Sequence, residues 1–132
     1  MPPSIAQQLR HNKPVSPAKY DQVTLMFCGI KDFSNFCARH STDSQQIVNL
    51  LNQVFTKLDE KLHKYPEIYK VETVGDKYMA VCGLPEKVEL HTKYMCLVAL
   101  DIIECSKELG QIDGENVVVI YTYIYSNLKY LF

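Results

Sequence analysis

The sequence has 132 residues, of which 47% are hydrophobic and 22% are charged, and its formal net charge is −1. A chain of this length can form one domain with a hydrophobic core that buries roughly two-thirds of the surface exposed by the unfolded chain. The near-zero charge gives no support to a general role in binding nucleic acid or a membrane surface, and no apolar run approaches the ~20 residues of a membrane span.

The cysteines indicate the cellular compartment. There are five of them, an odd number, and no CxxC pair occurs. Two lie in strand-like runs and two in a helical pattern, which is typical of small buried thiols in a reducing cytosol. The four histidines are scattered without the spacing of zinc ligands, and the N-terminal segment lacks the apolar core of a signal peptide. These patterns predict a cytoplasmic protein.

The first predicted element of the domain is a strand. Residues 1–20 contain Pro14 and Pro17, which prevent a long helix, so we expect a linker or the end of a preceding helix. The run QVTLMFCGI, residues 22–30, is continuous, β-branched and aromatic, and it predicts a central buried strand. A polar stretch, KDFSNFCARHSTDS, comes next.

A helix and a hairpin follow. Apolar residues recur at steps of three and four from Ile47 to Leu62, which predicts a helix capped by Thr42 or Asp43 and closed by Pro66. Residues 68–74 and 77–83 then read as two strands. Their two-residue joint is Gly75-Asp76, and a Gly-X joint of this kind predicts a tight hairpin.

The last elements complete a recognisable order. A second helix is predicted from about residue 88 to Leu109, with Gly110 as its stop, then a turn at QIDGE and a strand in NVVVIYTYIY, residues 116–125. The order β-α-β-β-α-β predicts an α+β, ferredoxin-like fold. Its sheet would be mostly antiparallel, with both helices on one face.

Two acidic residues of the hairpin are candidates for a binding site. Glu72 lies within a strand, where it is either a surface residue or a cleft residue that accepts hydrogen bonds from a ligand's N–H groups. Asp76 lies in the turn, where it is either solvated or faces Mg²⁺, which prefers oxygen ligands. A metal site needs a second carboxylate at the end of the neighbouring strand, where Gly29 stands and Asp32 follows three residues later.

Three stretches carry a family resemblance: VTLMFCGIKDFSNFC, IVNLLNQVFTKLD and YKVETVGDKYMAVCGLPE. They resemble the catalytic domain of class III nucleotidyl cyclases, and more narrowly that of β-type subunits of soluble guanylate cyclase, from Pro2 to about Ile120. The resemblance implies conversion of GTP to cyclic GMP and diphosphate with Mg²⁺ or Mn²⁺. It also implies pairing with an α subunit as a heterodimer, or a homodimer. Haem would belong only to a domain absent from this chain.

The resemblance assigns roles residue by residue. One partner of a cyclase pair supplies two metal-binding aspartates, the first in a motif like F-x-D-I-x-G-F. Here Gly29 stands at the first aspartate position, Asp32 stands where the family has glycine, and Asp76 matches the second aspartate. Glu72 matches the glutamate that reads guanine. This chain is therefore expected to supply guanine recognition, while the α subunit holds most of the metal.

The resemblance ends at about Ile120. The family continues with a glycine-rich segment, a hairpin and a helix whose asparagine and arginine act on the transition state. Here YTYIYSNLKYLF follows instead. We expect a partial catalytic domain over 21–120 that is incomplete at its C-terminus, a divergent tail over 121–132, no catalytic residue in this chain, and no cyclase activity of the chain alone.

Two other functions are open at this stage. The chain could be a catalytically inactive dimerisation module that pairs with or inhibits a cyclase α subunit. It could also be a ferredoxin-like RNA-binding domain, which would need exposed aromatic residues on its central strands and a basic sheet face. The near-neutral charge and the pair of Glu72 and Asp76 argue against RNA binding.

Overall fold

The computed structural model describes residues 7, 10–11, 19–84, 86–109 and 119–131, and only the backbone of residues 19–21 and 127–131. Within these residues the strands are β1 (Lys19–Ile30), β2 (Ile68–Val74), β3 (Lys77–Cys82) and β4 (Ile120–Leu131). The helices are α1 (Phe33–Arg39), α2 (Ser44–Leu62) and α3 (His91–Leu109). None of the described helices is long and apolar enough to cross a membrane.

The four strands form one antiparallel sheet in the order β2-β3-β1-β4. The two central strands are therefore β1 and β3, paired for example through Cys28 and Tyr78. The sheet order and the alternation of strands and helices confirm the predicted ferredoxin-like α+β fold.

The main core lies between the sheet and the helices. Alternate side chains of the central strands point to this side, among them Met26, Cys28, Tyr78 and Ala80. The long helices contribute buried residues at the predicted steps of three and four: Leu50, Val54, Leu58 and Leu62 from α2, and Met95, Val98, Ile102 and Cys105 from α3. Burying this apolar stripe is what holds both helices on one face of the sheet.

The other side of the sheet has a smaller cluster, which contains no residue of α1, α2 or α3. It consists of the buried Val23, Leu25, Val81 and Leu84, with the partly buried Phe27, Tyr69, Val71 and Met79 packed against them. We call this side of the sheet the open face. The side chains of the candidate functional site lie on the open face.

The structure differs from the predicted elements in four places. Strand β1 begins at Lys19 instead of residue 22. The polar stretch after β1 contains the unpredicted helix α1, which is anchored by the buried Phe36. The helix α3 begins at His91 instead of residue 88. Strand β4 begins at Ile120 instead of residue 116 and continues to Leu131, so most of the segment predicted as a divergent tail pairs with β1.

Some sequence predictions lie outside the described residues. These are most of the linker over 1–20, the stop at Gly110, the turn over 111–115 and the strand positions 116–118.

Candidate functional site

The hairpin that carries both candidate acids has the predicted tight turn. Val74 and Lys77 form the last pair of β2 and β3, so Gly75 and Asp76 alone make the loop. Gly75 has a φ of 59°, and among the described non-glycine residues positive φ occurs only at Gln22 and Asp32. A positive φ at the first loop position alone is the pattern of a type II′ turn.

Glu72 lies on the open face because of an irregularity in β2. Lys70 pairs with Ala80, whose side chain faces the helices, and strict alternation would place Glu72 on the same side. The register shifts between Lys70 and Glu72, however, and Glu72 pairs with Met79 of the open face. Such a bulge re-aims a side chain. The Glu72 side chain is exposed, and its carboxylate has no hydrogen-bond or ion-pair partner among the described residues.

Asp76 is not a freely solvated turn residue. Its side chain is only 12% exposed, and its Oδ2 accepts a hydrogen bond of 3.2 Å from the backbone N–H of Ile30. The same oxygen lies 3.5 Å from Nζ of Lys77. The carboxylate therefore ties the hairpin tip to the end of β1.

Gly29 faces an aromatic ring across the β1–β4 pair. It is directly opposite Tyr121, and a Cβ added at Gly29 would lie 2.8 Å from Cε1 of Tyr121 and closer still to its hydroxyl. The ring is thus packed where a side chain at position 29 would begin. An aspartate at this position would require Tyr121 to move.

Lys77 completes the arrangement around Gly29. Its Nζ donates a hydrogen bond to the Tyr121 hydroxyl and lies 4.8 Å from the centre of the Tyr121 ring. The hydrogen bond to Tyr121, and to a lesser extent the charge of Asp76, raise the pKa of Lys77 above its usual value. The ammonium is therefore the positive charge that stands next to Asp76.

Asp32 does not supply the missing carboxylate. It is exposed and its φ of 57° is in the left-handed region, which glycine adopts at lower cost than other residues. This conformation is consistent with the expected glycine at that position of the family motif. Its side chain makes no capping hydrogen bond to α1.

The described residues do not fit the two-metal site that the resemblance implies for one partner of a cyclase pair. They contain no group of three or more His, Cys, Asp and Glu side chains that could hold a metal ion. Mg²⁺ requires near-octahedral oxygen coordination, usually through one or two carboxylates. Asp76 alone remains, and it already contacts Ile30 and Lys77.

The family is established by comparison with known proteins. The family model described as the adenylate and guanylate cyclase catalytic domain matches residues 15–120. This chain belongs to that family. It is 37% identical over 113 residues to human guanylate cyclase soluble subunit alpha-2, covering 86% of this chain and 15% of the relative. It is 34% identical over 120 residues to rat guanylate cyclase soluble subunit beta-2, covering 90% of this chain and 17% of the relative.

Solved cyclase structures share the fold. The guanylate cyclase domain of RhGC from Catenaria anguillulae, in complex with GTP, is 32% identical with a TM-score of 0.74, covering 83% of this chain and 58% of that one. The dimeric guanylyl cyclase domain of the RhoGC fusion protein from Blastocladiella emersonii is 29% identical with a TM-score of 0.73, covering 86% and 61%. The adenylyl cyclase CyaB from P. aeruginosa, at 18% identity, supports the fold alone.

The structure brings some predicted site residues together and adds two that the sequence reasoning missed. Asp76 reaches the end of β1 beside Gly29, and Glu72 lies on the same face of the sheet. The added residues are Tyr121, which lies beyond the family resemblance, and Lys77, the first residue of β3. Neither role could be found without the β1–β4 register, which pairs Tyr121 with Gly29.

Proposed function

We propose that this cyclase domain acts as a β-type domain of a soluble guanylate cyclase. It would read the guanine of GTP, while an α-type partner supplies the carboxylates that hold Mg²⁺ or Mn²⁺. The reaction at such an interface converts GTP to cyclic GMP and diphosphate. The observation that carries the proposal is the exposed Glu72 carboxylate on the open face, which no described residue binds.

The chemistry of guanine suits a carboxylate in this position. The N1–H and the 2-amino group of guanine are neighbouring donors, and one carboxylate can accept a hydrogen bond from each. Adenine has no N1–H and no 2-amino group, so it cannot form this pair. Two-point contacts of this type discriminate between bases by about 1–3 kcal/mol.

Gly29 and Asp76 are the reason for assigning the metal ions to the partner and not to this chain. Gly29 has no side chain to offer a metal ion, and Tyr121 occupies the space beside it. Asp76 is already bound by Ile30 and Lys77. We therefore propose that carboxylates of the partner would hold the metal ion, which would supply the charge that activates the ribose hydroxyl, and that this chain alone produces no cyclic GMP.

The thiols support the proposed cytoplasmic location. All five cysteines are free, and Cys28, Cys82 and Cys105 are buried in the core. Free buried thiols are typical of proteins from reducing compartments.

A second candidate function is a non-catalytic module that pairs with an α-type domain and inhibits it. Its support is the edge of the open face, where Tyr123 and Tyr125 are 58% and 50% exposed. Phe27 lies beside Tyr125, with the ring centres 6.0 Å apart. Exposed aromatic residues of this kind are enriched at protein interfaces.

Co-expression with an α-type catalytic domain of soluble guanylate cyclase tests both candidates. The proposal predicts a heterodimer on size exclusion that binds a fluorescent GTP analogue with Mn²⁺. Glu72→Gln should weaken this binding by about tenfold or more. Glu89→Gln, which changes an exposed glutamate outside the hairpin, is the matched control and should have no effect.

The other outcomes separate the candidates. A heterodimer whose GTP binding is the same in the wild type and in Glu72→Gln would favour the inhibitory module, provided that the α-type domain loses its own residual activity on pairing. Absence of a heterodimer would contradict both candidates. Cyclic GMP production by the purified chain alone, above that of Glu72→Ala, would contradict its proposed inactivity.

A further inference from the structure

Three side chains meet at Gly29 from three directions. Lys77 comes from the start of β3, Tyr121 from the start of β4, and Asp76 from the hairpin tip. Lys77 contacts both of the others, and the Asp76 carboxylate also accepts the Ile30 N–H at the end of β1. The hairpin tip and two strands are thus joined at one point on the sheet.

This cluster opposes a metal ion in two independent ways. The first is steric, because the Tyr121 ring occupies the volume that a side chain at Gly29 would need. The second is electrostatic, because the Lys77 ammonium lies 3.5 Å from the Asp76 oxygen and a second cation there would be repelled. Removing one of the two obstacles leaves the other in place.

We infer that Lys77 and Tyr121 are a built-in substitute for a metal ion, the ammonium balancing Asp76 and the phenol ring filling the space over Gly29. Asp76 is then a structural carboxylate that fixes the hairpin to β1. This goes beyond the proposed reading of guanine, since it concerns the chain without nucleotide or partner. It also predicts that restoring an aspartate at position 29 does not by itself create a metal site.

Mn²⁺ binding to the purified 132-residue chain, without nucleotide, tests the inference. Electron paramagnetic resonance of free Mn²⁺ and calorimetry would compare the wild type, Gly29→Asp, and Gly29→Asp combined with Lys77→Ala and Tyr121→Ala. The wild type and Gly29→Asp should show no saturable binding. The triple variant should bind one Mn²⁺ per chain at least about tenfold more tightly than either.

A second pair of variants keeps the test decisive if Gly29→Asp proteins do not fold. Lys77→Gln adds no side chain at position 29 and leaves Asp76 without its cation. It should lower the melting temperature more in the wild-type background than in the Asp76→Asn background, because only the Asp76 carboxylate needs the ammonium. Neither Lys77→Gln chain should respond to Mn²⁺, since Tyr121 still covers Gly29. Saturable Mn²⁺ binding by the wild type that is lost in Asp76→Asn would overturn the inference, as would a Lys77→Gln substitution that lowers the melting temperature equally in both backgrounds. These results do not depend on guanine recognition.

Discussion

Replacing Tyr78 by phenylalanine removes one hydroxyl group that anchors the hairpin to α2. The Tyr78 side chain is fully buried, and its hydroxyl donates a hydrogen bond of 2.6 Å to Oδ1 of Asp59. Nζ of Lys70 lies 2.9 Å from the same oxygen and 5.1 Å from the centre of the Tyr78 ring. Because Tyr78 is two residues after Asp76, this contact also helps to position the hairpin tip.

The expected loss is moderate. Phenylalanine keeps the buried ring, so the change removes a hydrogen bond to a carboxylate, which is worth about 1.5–3 kcal/mol. The Asp59 side chain is 38% exposed and keeps Lys70, so water and the lysine compensate in part. We therefore expect Tyr78→Phe to lower the free energy of unfolding by about 1–2 kcal/mol.

Urea unfolding followed by circular dichroism measures this loss. The matched control is Tyr69→Phe, since Tyr69 is a half-buried tyrosine on the open face without a hydrogen-bond partner among the described residues. The control should stay within about 0.5 kcal/mol of the wild type. If both substitutions cost the same, or Tyr78→Phe costs less than about 0.5 kcal/mol, the Asp59 anchor does not stabilise the fold as argued.

Three further predictions concern stability. Thr24→Val removes the hydroxyl 2.6 Å from Nδ1 of the buried His91. It should lower the free energy of unfolding in urea by about 1–3 kcal/mol, and an unchanged value would mean that water replaces the Thr24 hydroxyl. Burial raises the pKa of Cys28 and of Cys82 to about 11, so the folded chain keeps protons that unfolded thiols lose above about pH 8.5. The free energy of unfolding should therefore fall between about pH 8.5 and pH 11. A free energy of unfolding that does not change over this range would contradict the burial of the two thiols. Gly75→Ala places a Cβ in open space at a φ of 59°, so backbone strain alone should lower the free energy of unfolding by about 1–3 kcal/mol; no loss would mean that the turn rearranges.

Much of the fold follows from periodicity in the sequence. The apolar steps of α2 and α3 and the two runs around Gly75 are local signals, and each produced an element in nearly the predicted place. The helix α1 was not predicted because Phe36 is the only buried residue in its mostly polar sequence. Seven residues are also too few to show the apolar periodicity of a helix.

The site was predicted less completely, for a different physical reason. The strand pattern left Glu72 open between a surface and a cleft position, and the family resemblance gave it a role; its face of the sheet depends on a bulge that the sequence pattern does not reveal. The neighbourhood of Gly29 depends on pairing with Tyr121, which is far away in the chain. The charge environment of Asp76 required the actual distances to Lys77 and Ile30.

The central claim is that Glu72 accepts hydrogen bonds from guanine, and the most direct test removes one of the donors from the nucleotide. Inosine triphosphate lacks only the 2-amino group of GTP. In the heterodimer with an α-type domain and Mn²⁺, we expect the wild type to bind GTP about tenfold more tightly than inosine triphosphate, and Glu72→Ala to bind both equally. A preference for GTP that survives in Glu72→Ala would show that another residue reads the base, and it would contradict the account.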